Sequence, residues 1–459
     1  MKIRVRMYRQ GLGDSFLITY SDGNAESHLL IDCGVLKGTA EPEKKMQAVA
    51  QNVHETTNGH LDRLVVTHEH WDHLSGFLQA QAIFDTVEVD EVWLAWTEDP
   101  DDELAAELGK HKQKALDGIV AAAKLADAGK SPAAQRTAHV LDALLNFQGD
   151  LGAAGTKTTA KALEWVKNRQ AKIKFLRPGE QLFDLPGLPG LRVYILGPPH
   201  DRRLIKRSDP SKKHPEVYEL AGVEGSHEGF LAAAEALAGD GTSETQPFDK
   251  YFRIDQATAR KENGLLKHYY APGSAWRRID DDWLGYAGAL ALALDSDTNN
   301  TSLVLAFELT PGGDVLLFPG DAQVGNWLSW ELLEWQVADA GGGTRTVKSD
   351  DLLARTVLYK VGHHGSHNAT LREKGLELMA SGELAAMIPV NRVTAEKMAW
   401  LMPFPSLLSR LVEKTHGRVM DAERGLDDAA PKDLGDAAWS EFIARTDVQP
   451  GWVDYMLQW

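Results

Sequence analysis

The sequence predicts an α/β protein, a β-sandwich flanked by helices and carrying two large, partly helical insertions. Three observations lead there. Short apolar runs such as Leu64-Val65-Val66-Thr67 and Val357-Leu358-Tyr359-Lys360-Val361 end in polar turns, as buried strands do. The first of these leads through a short turn into Ser75-Gly76-Phe77-Leu78, which opens a helix, so strand and helix alternate. Two further segments, one rich in alanine, lysine and leucine and one opening on a run of cations, fall outside that alternation.

The bulk numbers bound the rest. A chain of 459 residues corresponds to about three domains at ~150 residues each, but one fold over residues 1–459 with insertions at about 98–172 and 201–296 fits the pattern better. Apolar residues make up 43% and charged residues 25%, an ordinary globular composition. No apolar run reaches the ~18 residues of a membrane span, so no membrane partner is expected. Met1-Lys2-Ile3-Arg4-Val5-Arg6-Met7 alternates like a strand and lacks a signal peptide's apolar core. The single cysteine, Cys33, forbids an internal disulfide, which points to a reducing, cytoplasmic location. Net charge is 49 − 66 = −17. A broad, non-specific nucleic-acid surface is therefore not expected, although a divalent cation reverses the sign inside a pocket and admits a small anionic substrate. Protein partners leave no signature.

Along the chain, residues 3–7, 16–20 and 28–34 read as strands, with the turn Gly11-Leu12-Gly13-Asp14-Ser15 after the first. A helix is expected over 74–85 and a strand from Val87 to Trp96. The first insertion has the composition of two or three helices. Strands return at Ile173–Leu176, Gln181–Leu185 and Leu191–Leu196. The second insertion begins with Arg202, Arg203, Lys206, Arg207, Lys212 and Lys213, six cations in twelve residues, most simply a solvated run. Ser302–Phe307, Val315–Phe318, Val357–Val361 and Ala385–Pro389 read as strands, Pro405 opens a helix, and a short tail ends the chain.

The chemistry concentrates at strand ends. Six of the sixteen histidines fall within 68–73 and 363–367. His68, His70, Asp72 and His73 share one strand-to-helix turn, and imidazole nitrogen with carboxylate oxygen is what a borderline divalent ion accepts. His68 and His70 alternate and point one way, while Asp72 and His73 follow the bend, so one turn offers two half-sites. Asp321 follows the strand Val315–Phe318, and His363, His364 and His367 follow the strand Val357–Val361. Strands sharing one direction would bring these tips to one cleft. Asp14 and Asp32 are expected just behind the ligands, Asp32 accepting from a ligand imidazole and setting its tautomer. The spacing His68-Glu69-His70 is wrong for a helical His-Glu-x-x-His site, which needs histidines four apart.

The order His-x-His-x-Asp-His resembles the signature of the metallo-β-lactamase superfamily. Phe318-Pro319-Gly320-Asp321 is similar to its segment carrying a metal-bridging aspartate. Gly11–Ser15 and His363-His364-Gly365-Ser366 resemble segments of the ComEC-like branch, with Leu12 where that branch has glutamine. The resemblance implies an αββα sandwich over roughly 1–97, 173–200 and 299–430, leaving both insertions without counterpart. It implies two divalent ions, zinc with manganese as the alternative. His68 and His70 would hold one, Asp72, His73 and His364 the other, with Asp321 between them and His364 preferred over His363. His200 is the candidate for the further histidine that most members carry. The implied activity is metal-dependent hydrolysis by a metal-bridging hydroxide, most simply of a phosphodiester. Asp72, and His363 or His367 as proton partner of the leaving group, would be the catalytic residues. The rival readings are lactam, lactone or thioester hydrolysis at the same site, an iron-dependent redox enzyme on the same fold, and a degraded binding module.

Overall fold

The computed structural model describes residues 1–128, 132–149, 157–183, 185–208, 268, 273–274, 285–338, 343–398, 400–426 and 435–459. In chain order the first strands are β1 (Lys2–Tyr8), β2 (Ser15–Ser21), β3 (Glu26–Cys33), β4 (His60–Val65), β5 (Glu88–Ala95) and β6 (Lys172–Leu176). Then come β7 (Gln181–Leu182), β8 (Arg192–Gly197), β9 (Val304–Glu308), β10 (Val315–Phe318), β11 (Glu334–Ala338) and β12 (Thr344–Lys348). The last are β13 (Thr356–Lys360), β14 (Ala385–Ile388), β15 (Val419–Asp421), β16 (Gly425–Leu426), β17 (Thr446–Val448) and β18 (Trp452–Gln458). One eight-stranded sheet runs β17-β18-β1-β2-β3-β4-β5-β6 and a second runs β16-β15-β14-β13-β10-β9-β8-β7, with β11 and β12 paired separately.

Alternation along the strands decides how these sheets stack. Val5, Ile18, Ile31 and Val65 of the first sheet share one buried cluster with Ile195, Phe307, Leu316 and Met387 of the second. Residues one position along point to the opposite face. There Leu30, Leu64 and Val92 pack against helix α1 (Pro42–Thr57), which presents Met46, Val49, Ala50 and Val53 at helical spacing, and against Leu74 and Phe77 of helix α2 (Trp71–Gln79). The outer face of the second sheet, including Tyr194, Leu317 and Tyr359, packs against Trp327, Leu407 and Leu411 on the helices Val324–Ser329 and Pro405–Lys414. The layers are therefore helix, sheet, sheet, helix.

Strands β3 to β6 run parallel, as do β10, β13, β14 and β15. Within each group the carboxyl ends lie on one edge.

The tail is more than a tail. Trp452–Gln458 is a full strand pairing with β1 from Lys2↔Gln458 to Tyr8↔Trp452. Its polar and apolar residues alternate only weakly, and its pairing partner is 450 residues away, so the sequence showed no local sign of it. The join is locked by Arg6, whose Nε and Nη2 each donate to Asp454 at 2.7 Å while its guanidinium lies 4.2 Å over Trp452. Both partners are buried. Asp454→Ala strands the Arg6 charge and is expected to cost about 3–5 kcal/mol, read as a lowered midpoint in urea unfolding.

By its contacts the chain divides into two compact units, one of Met1–Glu107, Asn146–Gly222 and Ser296–Trp459, the other of Leu108–Leu145 and Val223–Asp295. The described part of the second is helical. Ala115, Ile119, Ala122 and Ala126 form a stripe that packs with Leu141 and Leu144 and with Leu290, Ala291 and Leu294. Of the cationic run, Arg202 pairs with Glu107 and Arg203 with Asp201, whereas Lys212 and Lys213 lie outside the described residues. No described helix is long and apolar enough to cross a membrane.

Candidate metal centre

The centre is assembled from the carboxyl ends of β3, β4, β10 and β13. After β4 the chain stays extended to His70 (φ −114°, ψ 154°) and then turns into α2 at Trp71, three residues earlier than the expected start at 74. The sequence reading put Asp72 and His73 before the helix, but they occupy its first turn, where a carboxylate is favoured by the unpaired amides. Gly34 and Gly13 lie against the Asp72–His73 backbone, and the Asp14 amide donates to the Asp72 carbonyl at 3.0 Å. The Gly11–Ser15 turn thereby supports the ligand turn. After β13, His363 and His364 both adopt left-handed backbone (φ 43° and 53°), a reversal that turns the two rings from a single short loop.

Four groups converge. Asp72 Oδ2 lies 3.0 Å from His364 Nε2, and His73 Nε2 lies 3.1 Å from Asp321 Oδ2 and 3.7 Å from Asp72 Oδ2. Those four ligand atoms all fall within 4.8 Å of one another, and all four residues are buried. Each imidazole is held from behind. Asp32 Oδ2 is 2.8 Å from His73 Nδ1, and Thr67 fixes Asp32 through its amide (2.8 Å) and hydroxyl (2.6 Å). His364 Nδ1 donates to the Pro389 carbonyl at 2.7 Å. Both Nε2 atoms are thereby directed into the cluster. Asp14 Oδ2 pairs with Lys360, and its other oxygen is 3.7 Å from His364 Nδ1.

His68 and His70 form a neighbouring pair, Nε2 to Nδ1 at 3.1 Å, outside the four-residue group. His68 Nδ1 is held by Thr67 (3.0 Å) and Ser302 (3.2 Å). His363 sends Nδ1 to Ser366 Oγ at 3.1 Å, and its Nε2 is buried with no hydrogen-bond partner. His367 stands against Phe404, 5.8 Å between rings, and is not one of the four converging residues. His200 is placed elsewhere: its Nε2 meets Asp102 at 3.0 Å and its ring lies 4.2 Å from Trp96. Glu69 accepts from Thr159 at 3.0 Å.

Electrostatics follow from burial and crowding. Burial disfavours an imidazolium at His73, but Asp321, Asp72, Asp32 and Asp14 outweigh it and raise His73 well above the ordinary histidine range. At His364 the same contest, with Asp72 the strongest opponent of burial, also ends upward. Burial and the neighbouring His73 and His70 push His68 well down, and burial takes His363 down to about 4. Burial works against the Asp321 carboxylate too, yet Lys360 and His73 hold it well below the usual range. The Cys33 thiol is pushed by burial up to about 12, which suits an inert core residue.

Three contributors escaped the sequence reading. Lys360 is a charged residue at the end of an apolar strand, a signal that was present in Val357–Val361. Ser302, whose Oγ accepts from the Asp321 amide at 3.0 Å and touches His68, is a small polar residue opening an apolar run, with nothing local to mark it. Phe147, 5.3 Å from His70 and stacked at 5.2 Å on Trp400, had no local signal at all.

No curated protein matches the chain. Residues 8–162, which carry Asp14, Asp32 and the His68–His73 turn but end before Asp321 and His364, match the family model of the metallo-beta-lactamase superfamily, and the layered architecture is the α/β sandwich of that fold.

Proposed function

We propose that this chain is a metal-dependent hydrolase whose substrates are phosphodiesters. The observation that carries the metal-dependent part is the convergence of Asp72, His73, Asp321 and His364 on one point, within a superfamily match made up mostly of hydrolytic metalloenzymes. The donor set fits a divalent ion. Two carboxylate oxygens and two Nε2 atoms offer four ligands, their other atoms are largely held from behind, and Asp72 Oδ1 is buried without a hydrogen-bond partner. The phosphodiester choice rests on the likeness of His363–Ser366 to the ComEC-like branch, and on a strongly acidic chain that needs a cation to receive an anion.

A divalent ion bound there would act as a Lewis acid and lower the pKa of its water towards ~7. The residues themselves prepare that site. With an ion in place of their Nε2 protons, Asp32 and the Pro389 carbonyl would keep His73 and His364 in the tautomer that offers Nε2. Ser366 gives its hydroxyl proton to Asn368 at 3.0 Å, so His363 Nδ1–H donates to Ser366 and Nε2 is left as a bare acceptor. His363 Nε2 is thus the proton acceptor we assign to the reaction, in preference to His367; a bare nitrogen has no proton to give a leaving group. Phe147 closes the side of His70 against water. His68 and His70 would hold a second ion with Asp321 as the shared ligand. Zinc is the ion we assign, and manganese the alternative, since half of the four donors are oxygen.

The test is metal content of the purified chain together with turnover of a chromogenic phosphodiester, a cephalosporin and a lactone. Phosphodiester turnover that disappears in His364→Ala is the expected result. Turnover of the cephalosporin or lactone alone would overturn the substrate choice, and iron with an oxygen requirement would overturn the reaction class.

A further inference from the structure

We propose that Lys360 is a positioning residue of this centre: its buried ammonium holds one oxygen of Asp321, so that the other alone is offered beside His73. The inference rests on the metal-centre reading above and concerns a residue that reading does not use.

Lys360 is the last residue of β13 and is 2% exposed. An ammonium has three donors, and Nζ meets three acceptors: the Gly320 carbonyl at 2.7 Å, Asp321 Oδ1 at 3.1 Å, and Asp14 Oδ2 in an ion pair. They come from two turns, Asp14 from the one after β1 and Gly320 with Asp321 from the one after β10. Asp321 Oδ1 also accepts from the His363 amide at 3.0 Å. One side of the Asp321 carboxylate is therefore filled by two donors, and Oδ2 is left facing His73 Nε2 at 3.1 Å. An ion held at this centre would find Oδ2 as the Asp321 oxygen not already taken by these two donors.

The two roles separate in a pair of variants of the full chain. Lys360→Met leaves Asp14 as an uncompensated buried carboxylate and is expected to be unstable. The double variant Lys360→Met/Asp14→Asn removes both charges of the pair, restores thermal stability towards the parent value, and still leaves Asp321 Oδ1 with the His363 amide as its one remaining donor. Zinc affinity, from competition against a chromophoric chelator, is expected to fall 10–100-fold in the double variant, the usual range for loss of an outer partner of a ligand. The cobalt(II)-substituted parent is expected to show the intense visible bands of a four-coordinate ion. Those bands weaken in the double variant as Asp321 becomes free to offer both oxygens.

A double variant with parental zinc affinity and parental cobalt bands overturns the proposal, leaving Lys360 as a counter-ion only. A double variant that does not fold counts against it equally, as does a parent whose cobalt bands are already weak. A parent that binds neither zinc nor cobalt brings down the metal-centre reading, and this inference with it.

Discussion

Asp321→Asn is expected to reach the parent fold at lower stability near neutrality and to lose its metal. The asparagine carbonyl can still accept from Lys360 Nζ and from the His363 amide, as Asp321 Oδ1 does at 3.1 and 3.0 Å. What disappears is the anionic oxygen 3.1 Å from His73 Nε2. Loss of a partner behind a ligand costs about 10–100-fold in affinity, so loss of the ligand itself should cost at least about a hundredfold. Metal catalysis contributes several kcal/mol to such hydrolyses, so turnover should fall on the order of 10³-fold. Asp321→Ala differs in a useful way. It strands both donors in a buried site and should lose a further about 1–3 kcal/mol of stability. Metal per chain by mass spectrometry, with urea unfolding of each variant, separates the two effects. An asparagine variant retaining metal at parental affinity would remove Asp321 from the ligand set.

The pH dependence has a defined sign. The Asp321 carboxyl is held well below the usual range in the metal-free fold, against burial, chiefly by Lys360 and His73. Its charge therefore stabilises the fold above the ordinary carboxylate pKa of ~3.9, and that contribution is lost as pH falls through the depressed value. The stability difference between metal-free parent and Asp321→Asn should accordingly be widest near neutrality and close in acid.

Gly34→Ala is expected to damage the centre from behind. A Cβ at Gly34 would lie 2.3 Å from the Asp72 carbonyl carbon, 2.4 Å from its oxygen and 2.5 Å from the His73 nitrogen. All three are backbone atoms of the peptide joining two ligands, so no side chain can swing aside to make room. Overpacking a core usually costs about 1–3 kcal/mol, and the rigidity of this contact places the variant at or above the top of that range. The displaced peptide carries Asp72 and His73 with it, and zinc affinity should fall at least about tenfold. Gly109→Ala is the matched control. Its Cβ meets nothing within 4 Å, and it lies inside the helix Glu103–Ala128. Alanine there should stabilise by up to about 1 kcal/mol. Equal midpoints and equal zinc affinities for the two variants would contradict the close contact at Gly34.

Some of this was legible one residue at a time. The strands β10 and β13 announce themselves because a strand buried on both faces must be apolar nearly throughout, and β1 by its alternation, demands that short windows of sequence reveal. The ligand turn between β4 and α2 was equally visible, since His68, His70, Asp72 and His73 are neighbours and their spacing is local. The helical character of 103–128, 132–145 and 159–167 follows from composition in the same way.

What required the folded chain is everything joined across long separations. Pairing of β18 with β1 depends on backbone hydrogen bonds, which leave no residue-specific trace. The position of His200 against Asp102 and Trp96 depends on how β8 ends, although a strand followed by histidine looked suited to a ligand. Phe147 reaches His70 because the chain returns from the helix Pro132–Leu145 at that point. Lys360 is the clearest case. A lysine in an apolar strand could be read as a mistake in the pattern until Asp14 and Asp321 arrive from 346 and 39 residues away to surround its ammonium. Sequence determined the apolar strands around the site, which turn carries ligands and which side chains have the chemistry to hold a cation. Tertiary structure alone decided which of them share a point, because burial makes a charge tolerable only beside its partner, and that partner is chosen by topology.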